Sequence, residues 1–124
     1  MVGVRNFQQL FEFLREPGAP IVSPQRFSEV VGIDLEVLAK QAHVHPNALT
    51  SMPHTESLQQ FLRDALRVLK AATDLCGDLD KALLWYRSQP LQPFHDKTPA
   101  QVISEGKTDA LITYIAMLEA GAAG

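Results

Sequence analysis

The sequence predicts an all-α fold, with six to seven helices packed as one compact unit. Apolar residues recur at three- and four-residue spacing along most of the chain, which is the period of one helix face. Ser, Thr, Asn or Asp precedes these stretches and Gly or Pro follows them, as expected at helix ends. Residues 1–53 are interpreted as an N-terminal helix plus a helix-turn-helix-like region, and residues 54–124 as a long central helix and a C-terminal region.

The composition is typical of a globular chain. Of 124 residues, 46% are hydrophobic and 20% are charged, which argues against disorder. The net charge of −3 provides no global positive field, so DNA binding would need a local basic patch. The single cysteine excludes an internal disulfide and favours a cytoplasmic location. We expect neither a membrane span nor a signal peptide, because no apolar run is long enough and the first residues lack a signal pattern.

The first predicted helix covers residues 6–16. Asn6 is its expected N-cap, and the Pro and Gly residues of 17–20 end it. Its apolar residues follow helix spacing, and they are Phe7, Leu10, Phe11 and Leu14. This helix is expected to pack on the core, with a dimerisation arm as the alternative.

Residues 23–53 match the spacing of a helix-turn-helix. Ser23-Pro24 begins a helix that Gly32 terminates, Asp34 caps a second helix, and Pro46 opens a third that Pro53 ends. With Ala39 placed where the two helices of the motif cross, the other positions that must be apolar are Leu38, Ala42, Val44, Leu49 and Met52. His43 stands where the turn usually has Gly. A three-helix packing without any DNA role would give a similar pattern.

The predicted recognition helix, residues 45–52, carries polar side chains that suit contacts with base edges or phosphates. The candidates here and on the preceding helix are Lys40, His45, Asn47, Thr50 and Ser51. Residues 24–53 contain two basic and three acidic residues, a net charge of −1. Because phosphate contacts supply most non-specific affinity, this region alone should bind DNA weakly.

The longest predicted helix covers residues 54–76, begins after Thr55 and ends at Gly77. Its wide apolar face indicates a central position in the fold. Arg63, Arg67 and Lys70 lie at i, i+4, i+7 and form the one concentrated basic row in the sequence. This row is either a solvated face or the best candidate for phosphate contacts. Cys76 falls on the apolar face, and we expect it to be an inert thiol in the core.

Three features define the C-terminal region. Asp78 caps a helix in which Trp85 is the expected core anchor, and Thr98-Pro99 begins a further helix. The last helix, residues 109–120, is apolar on nearly every side and is expected to end before Gly121. Such a helix must be covered, either as a core helix or by a partner. Its apolar surface, with that of residues 58–76, predicts a homodimer.

No catalytic grouping is visible. The sequence has no Gly-rich phosphate loop, no HExxH and no CxxC. His43 and His45 are two residues apart in a predicted turn, without a third ligand at metal-binding spacing. We therefore expect no enzyme, no cofactor and no metal site.

The C-terminal region resembles the toxin-binding domain of the Xre/MbcA/ParS antitoxin family. The resemblance rests on Trp85 before a Pro-containing loop, on Lys97-Thr98-Pro99 with residues 102–103, and on an apolar helix closing in residues 119–121. Residues 94–96 stand where the family has small, Gly-rich residues. The positions that the resemblance marks as partner-binding are Trp85, Phe94, Lys97, Thr98, Tyr114, Met117, Leu118, Glu119 and Gly121.

This resemblance implies an antitoxin of a type II toxin–antitoxin system. Its partner would be a RES-domain toxin, an enzyme that consumes NAD, and it would dimerise and repress its own operon by binding operator DNA. In the family the C-terminal end reaches the toxin's active-site cleft, and the matching positions here are 119–124. Two alternatives remain: a stand-alone helix-turn-helix regulator, and a protein-interaction module that does not bind DNA.

Overall fold

The computed structural model describes residues 4–16 and 18–123, with the side chains of the last helix described as far as Gly121. Every regular secondary-structure element in these residues is a helix, which confirms the predicted all-α fold class. The α-helices are α1 (Phe7–Leu14), α2 (Pro24–Val31), α3 (Leu35–Gln41), α4 (Ala48–Ser51), α5 (Glu56–Cys76), α6 (Leu79–Ser88), α7 (Pro99–Ser104) and α8 (Thr108–Ala123). A short 3-10 helix, Gln92–Phe94, lies between α6 and α7.

Four of the predicted N-caps form the expected hydrogen bond. The side-chain oxygens of Asn6, Ser23, Asp78 and Thr98 each accept a hydrogen bond from the backbone N–H three residues on. Thr98 also forms a capping box, because the Gln101 side chain accepts from the Thr98 backbone N–H at 2.9 Å. Asp34 occupies the N-cap position of α3 without a side-chain cap bond. Local sequence therefore sets most helix starts.

One helix end differs from the sequence expectation, and there are more helices than expected. Gly106 adopts a φ of +81° and terminates α7, so the helix that begins at Pro99 and the last helix are separate, as predicted. The described residues contain eight α-helices, where six to seven helices were expected. Gly121, in contrast, keeps a helical backbone, and α8 continues through it to Ala123. A glycine in the left-handed conformation commonly ends a helix, as Gly106 does, whereas Gly121 keeps the helical conformation.

The chain divides into two compact units, Met1–Arg63 and Asp64–Gly124, so that the division falls inside α5. In the first unit α2 packs against α1, α3 and α4. The large side chains that fill its core are Leu10, Leu14, Phe27, Val31, Leu38, Leu49, Leu58 and Leu62.

In the second unit α7 packs against both α6 and α8. Its core side chains are Leu69, Leu79, Tyr86, Val102, Ile103, Leu111 and Ile115. In the described part of the chain, none of the helices combines the length and apolar character needed to cross a membrane.

The apolar face of α5 is covered within a single chain. Its buried members are Leu58, Phe61, Leu62, Ala65, Leu66, Val68, Leu69 and Ala72. One basis of the homodimer prediction, an excess of apolar surface on α5, is therefore removed. Cys76 is exposed, which corrects its expected place in the core. It is the last residue of α5, where the helix runs past its buried residues into solvent.

Candidate functional site

Most of the positions in residues 23–53 that the helix-turn-helix pattern requires to be apolar are buried. Leu38, Ala39, Ala42 and Leu49 are buried, and Val44 is half-buried. The expected burial of Met52 is wrong, because its side chain is 52% exposed. α4 covers only Ala48–Ser51, so Met52 follows the helix with a φ of −138° and turns away from its buried face. The predicted recognition helix is thus shorter than residues 45–52.

The turn after α3 has the geometry that a glycine would favour, although His43 occupies it. His43 has a φ of +59°. Its N–H donates to the Lys40 carbonyl at 3.2 Å, and the Val44 N–H donates to the Ala39 carbonyl at 3.0 Å. This pair of bonds is the Schellman motif, which satisfies the last carbonyls of a helix. His43 therefore forms the same sharp turn that a glycine would form at this position.

The candidate DNA-contacting side chains of this region are exposed: Lys40, His45, Asn47, Thr50 and Ser51. The hydroxyls of Thr50 and Ser51 both donate to the Asn47 carbonyl, at 3.2 and 2.7 Å. Since phosphate oxygens only accept hydrogen bonds, these hydroxyls would have to leave that carbonyl to contact a phosphate. The Asn47 backbone N–H donates to His45 Nδ1 at 3.1 Å, which leaves Nε2 as the free ring nitrogen.

The basic row of α5 is occupied by local partners. Arg67 lies 3.6 Å from the Asp64 carboxylate and 3.3 Å from that of Asp109. Lys70 Nζ lies 3.2 Å from the Asp74 carboxylate, and Arg63 donates to Gln60 Oε1 at 3.2 Å. These pairs are exposed and individually weak. They nevertheless mean that a phosphate would compete with carboxylates for Arg67 and Lys70.

The loop before α7 closes on itself through backbone hydrogen bonds. Leu91 N–H donates to the Lys97 carbonyl at 2.9 Å, and Asp96 N–H donates to the Leu91 carbonyl at 2.9 Å. His95 and Asp96 have φ values of +59° and +62°, in the left-handed region that favours glycine. The loop thus has a glycine-like backbone at two of the three positions where Gly-rich residues were expected from the resemblance.

Lys97, at the end of this loop, is tied to the end of α7. Its ammonium pairs with the Glu105 carboxylate, and Lys107 Nζ lies 3.6 Å from the same carboxylate. The hydrogen bond from Lys97 is the main reason that the pKa of Glu105 lies below its ordinary value. Lys97 is therefore held in one orientation beside Thr98, which caps α7.

The buried aromatic residue of α6 is Tyr86 rather than Trp85. Leu79, Ala82, Leu83 and Tyr86 follow i, i+3, i+4, i+7 spacing and are all buried. Trp85 lies beside this face and is half-buried, so its predicted role as a core anchor is wrong. Leu84 is 53% exposed on the same helix. Burial raises the pKa of the Tyr86 phenol.

The last helix is covered only in its first half. Leu111 and Ile115 are buried, while Ile112 and Tyr114 are half-buried. Every residue from Ala116 to Gly121 is exposed, with Met117 at 67% and Leu118 at 40%. The sequence led us to expect that the whole helix would be covered. A single chain covers its beginning and leaves an apolar end in solvent.

Several of the predicted partner-binding residues form one continuous surface. Tyr114, Met117, Leu118 and Gly121 lie at i, i+3, i+4 and i+7 and therefore share one side of α8. We call these four residues the α8 stripe. The Phe94 ring meets Tyr114 edge to face, with 5.8 Å between the ring centroids and an interplanar angle of 86°. This contact joins the loop before α7 to the stripe.

The remaining candidates lie outside the stripe. Lys97 and Thr98 belong to the turn into α7, and Trp85 lies on α6. Glu119 is on a different side of α8 from the stripe. The stripe spacing was readable in the sequence, whereas the Phe94–Tyr114 contact joins residues twenty positions apart and is a product of the fold.

No described group of three His, Cys, Asp or Glu side chains is arranged to hold a metal ion. Comparison with known proteins yields no relative: no family model matches the chain, and neither do curated sequences or solved structures. The candidate site is therefore defined by its own geometry, an exposed apolar helix end that is continuous with an ordered loop.

Proposed function

We propose that this chain is the antitoxin of a type II toxin–antitoxin system, and that it neutralises a RES-domain, NAD-consuming toxin by direct binding. The observation that carries the proposal is the exposed apolar end of α8, Ala116–Gly121. An apolar helix end costs free energy in water, and a partner that covers it recovers that cost. The resemblance described above assigns the same segment to toxin binding.

The loop before α7 also supports the proposal. The backbone of His95 and Asp96 has the conformation that favours glycine, which suits a family pattern that is Gly-rich at this point. The Thr98-Pro99 start with its capping box fits the Lys/Arg-Thr-Pro turn of the same pattern. The edge-to-face contact between Phe94 and Tyr114 then connects this turn to the α8 stripe.

Operator binding belongs to the proposal through the first unit. Its buried Leu38, Ala39, Ala42 and Leu49 suit a helix-turn-helix, and Asn47 is exposed on the following turn. The first unit would serve to repress the operon that encodes the toxin and the antitoxin. Self-association into a homodimer would give operator binding two half-sites.

A second candidate is a protein-interaction module that does not bind DNA. The observation that favours it is the pairing of Arg67 with Asp64 and Asp109, and of Lys70 with Asp74. These pairs reduce the positive charge offered to phosphates. A stand-alone regulator is the remaining alternative, in which the second unit serves only self-association.

The test is co-expression with the product of the neighbouring gene, with growth and cellular NAD as readouts. We expect the neighbouring product alone to stop growth and deplete NAD, and this chain to restore both. An electrophoretic shift assay with the upstream DNA of the operon separates the antitoxin from the interaction module. Failure to protect cells from any neighbouring product, combined with operator binding, would favour the stand-alone regulator.

A further inference from the structure

A cleft of about 610 Å³ lies where α1 ends and α2 begins. Its wall is formed by the end of α1, by the turn that follows, and by Arg26 in the first turn of α2. The Glu16 N–H donates to the Ile21 carbonyl at 2.9 Å, and the Ser23 N–H donates to the Leu14 carbonyl at 2.7 Å. These bonds tie the two helix ends together beside the cleft. Its volume is in the range of the pockets in which proteins hold small molecules.

Four charged side chains line the cleft, two of each sign. They are Glu12, Arg15, Glu16 and Arg26. Within residues 4–16 and 18–123, no ion pair joins one of these arginines to one of these glutamates. In the same residues, the side chains of Arg15 and Glu16 also form no hydrogen bond. Both signs of charge are therefore available to a ligand at one place.

The side chain of Arg26 is held in position by the chain itself. Its Nη1 donates to the Phe13 carbonyl at 2.9 Å, and its guanidinium carbon lies 5.2 Å from the centroid of the Phe13 ring. The other N–H groups of a guanidinium can still donate in pairs to a carboxylate. Because Arg26 is half-buried and already ordered, a ligand that binds it costs little side-chain entropy.

The balance of charges selects the class of ligand. The two glutamates would repel a phosphate group, and the two arginines would repel a polyamine. A small zwitterion avoids both conflicts, since its carboxylate can face the arginines while its ammonium faces the glutamates. Ala19 and Pro20 add a small apolar surface beside these charges, which suits an aliphatic side chain.

We propose that this cleft binds an amino acid, whose carboxylate is held by Arg15 and Arg26 and whose ammonium is held by Glu12 and Glu16. The ligand connects the end of α1 to the start of α2, so its binding stabilises the first unit. All residues of the site belong to the first unit. Amino-acid binding is therefore independent of the toxin binding proposed for α8.

The experiment records nuclear magnetic resonance spectra of the isotopically labelled full chain with each of the common amino acids at millimolar concentration. We expect at least one of them to shift the amide signals of residues 12–26 and to raise the melting temperature. The corresponding amine without the carboxylate, and the corresponding acid without the ammonium, should each bind at least about ten-fold more weakly. Inorganic phosphate and spermidine are the probes that carry one sign of charge only, and both should bind more weakly as well.

Two variants test the assigned contacts. Arg15→Gln and Glu16→Gln should each lower the affinity about ten-fold, because each removes one charge-assisted contact. Both side chains lack partners in the described residues, so the ligand-free variants should melt like the unaltered chain. Arg5→Gln and Glu29→Gln, at exposed positions outside the cleft, are the matched controls and should keep the full affinity.

Three results would each contradict amino-acid binding in this cleft. The first is that no amino acid shifts the signals of residues 12–26. The second is that inorganic phosphate or spermidine binds as tightly as the best amino acid, which would indicate a site for a single charge. The third is that the Arg15 and Glu16 variants bind as tightly as their controls, which would place the ligand elsewhere.

Discussion

The side chain of Gln59 forms two hydrogen bonds with the backbone of Val22, which lies 37 residues earlier in the chain. Oε1 accepts from the Val22 N–H and Nε2 donates to the Val22 carbonyl, both at 2.9 Å. Nε2 also donates to the Pro53 carbonyl at 2.7 Å. Gln59 is 3% exposed, so water cannot replace these bonds. One buried amide thus ties the start of α5 to the segment that precedes α2.

We therefore expect Gln59→Met, which keeps the length of the side chain, to lower the free energy of unfolding by about 2–4 kcal/mol. The substitution leaves buried backbone groups of Val22 and Pro53 without their partners, and each such group costs about 1–3 kcal/mol. Urea denaturation followed by circular dichroism measures the change. Gln25→Met, at an exposed position of α2, is the control and should stay within about 0.5 kcal/mol of the unaltered chain. A similar loss in both variants would contradict the assigned role of Gln59.

Two glycines should respond to alanine in opposite directions. At both positions an added Cβ would meet nothing within 4 Å, so only backbone conformation differs. Gly106 has a φ of +81°, and Gly106→Ala should destabilise the chain by about 1–2 kcal/mol. Gly121 is helical, and Gly121→Ala should stabilise α8 by up to about 1 kcal/mol. Thermal unfolding of both variants checks the pair, and the same sign for both would contradict the assigned backbone conformations.

The buried phenol of Tyr86 predicts a dependence of stability on alkaline pH. Burial raises the pKa of Tyr86 in the folded chain, so above about pH 10 the phenol ionises in the unfolded chain alone. The free energy of unfolding therefore keeps its full value below that pH and decreases as the pH rises towards the pKa of Tyr86 in the folded chain. Urea denaturation between pH 8 and 11 should show this loss. Tyr86→Phe should flatten the curve, and an unchanged slope in that variant would rule out Tyr86 as its source.

For DNA binding, we predict that Arg63, Arg67 and Lys70 supply part of the phosphate contact. Replacing all three with Ala should weaken operator binding and make its salt dependence shallower, because fewer counterions are released. The local ion pairs of Arg67 and Lys70 should make the change in salt slope less than three phosphate contacts would give. Lys81→Ala, at an exposed position of α6, is the control. Affinity and slope that both stay unchanged in a salt titration would remove the basic row from the operator site.

For neutralisation, we predict that deleting residues 120–124 leaves stability nearly unchanged and abolishes or weakens protection from the toxin. The deletion removes no large apolar side chain. Leu118→Asp is a second variant that tests the same segment, because Leu118 is 40% exposed and can carry a charge without unfolding the chain. Leu84→Asp, at a 53% exposed position of α6, is its matched control. Full protection of growth and NAD by the truncated chain would contradict a role of this segment in blocking the toxin.

The sequence by itself determined the helical class and most of the helix starts. Asn6, Ser23, Asp78 and Thr98 cap helices through bonds to a backbone N–H three residues away, so neighbouring residues suffice to predict them. The spacing of the α8 stripe likewise depends only on residues close together in the sequence. Helical periodicity places Tyr114, Met117, Leu118 and Gly121 on one side whatever packs around them.

The tertiary structure decided which apolar residues are covered. α5 and α8 both looked too apolar for a monomer, yet the face of α5 is buried while the end of α8 remains in solvent. Likewise, the tertiary packing buries Tyr86 and not its neighbour Trp85, and it leaves Met52 and Cys76 exposed. The hydrophobic effect favours burial of every apolar side chain, but the positions of helices distant in sequence determine whether a particular side chain can be covered. The pairing of Arg67 with Asp109, 42 residues apart, depends on the same long-range arrangement.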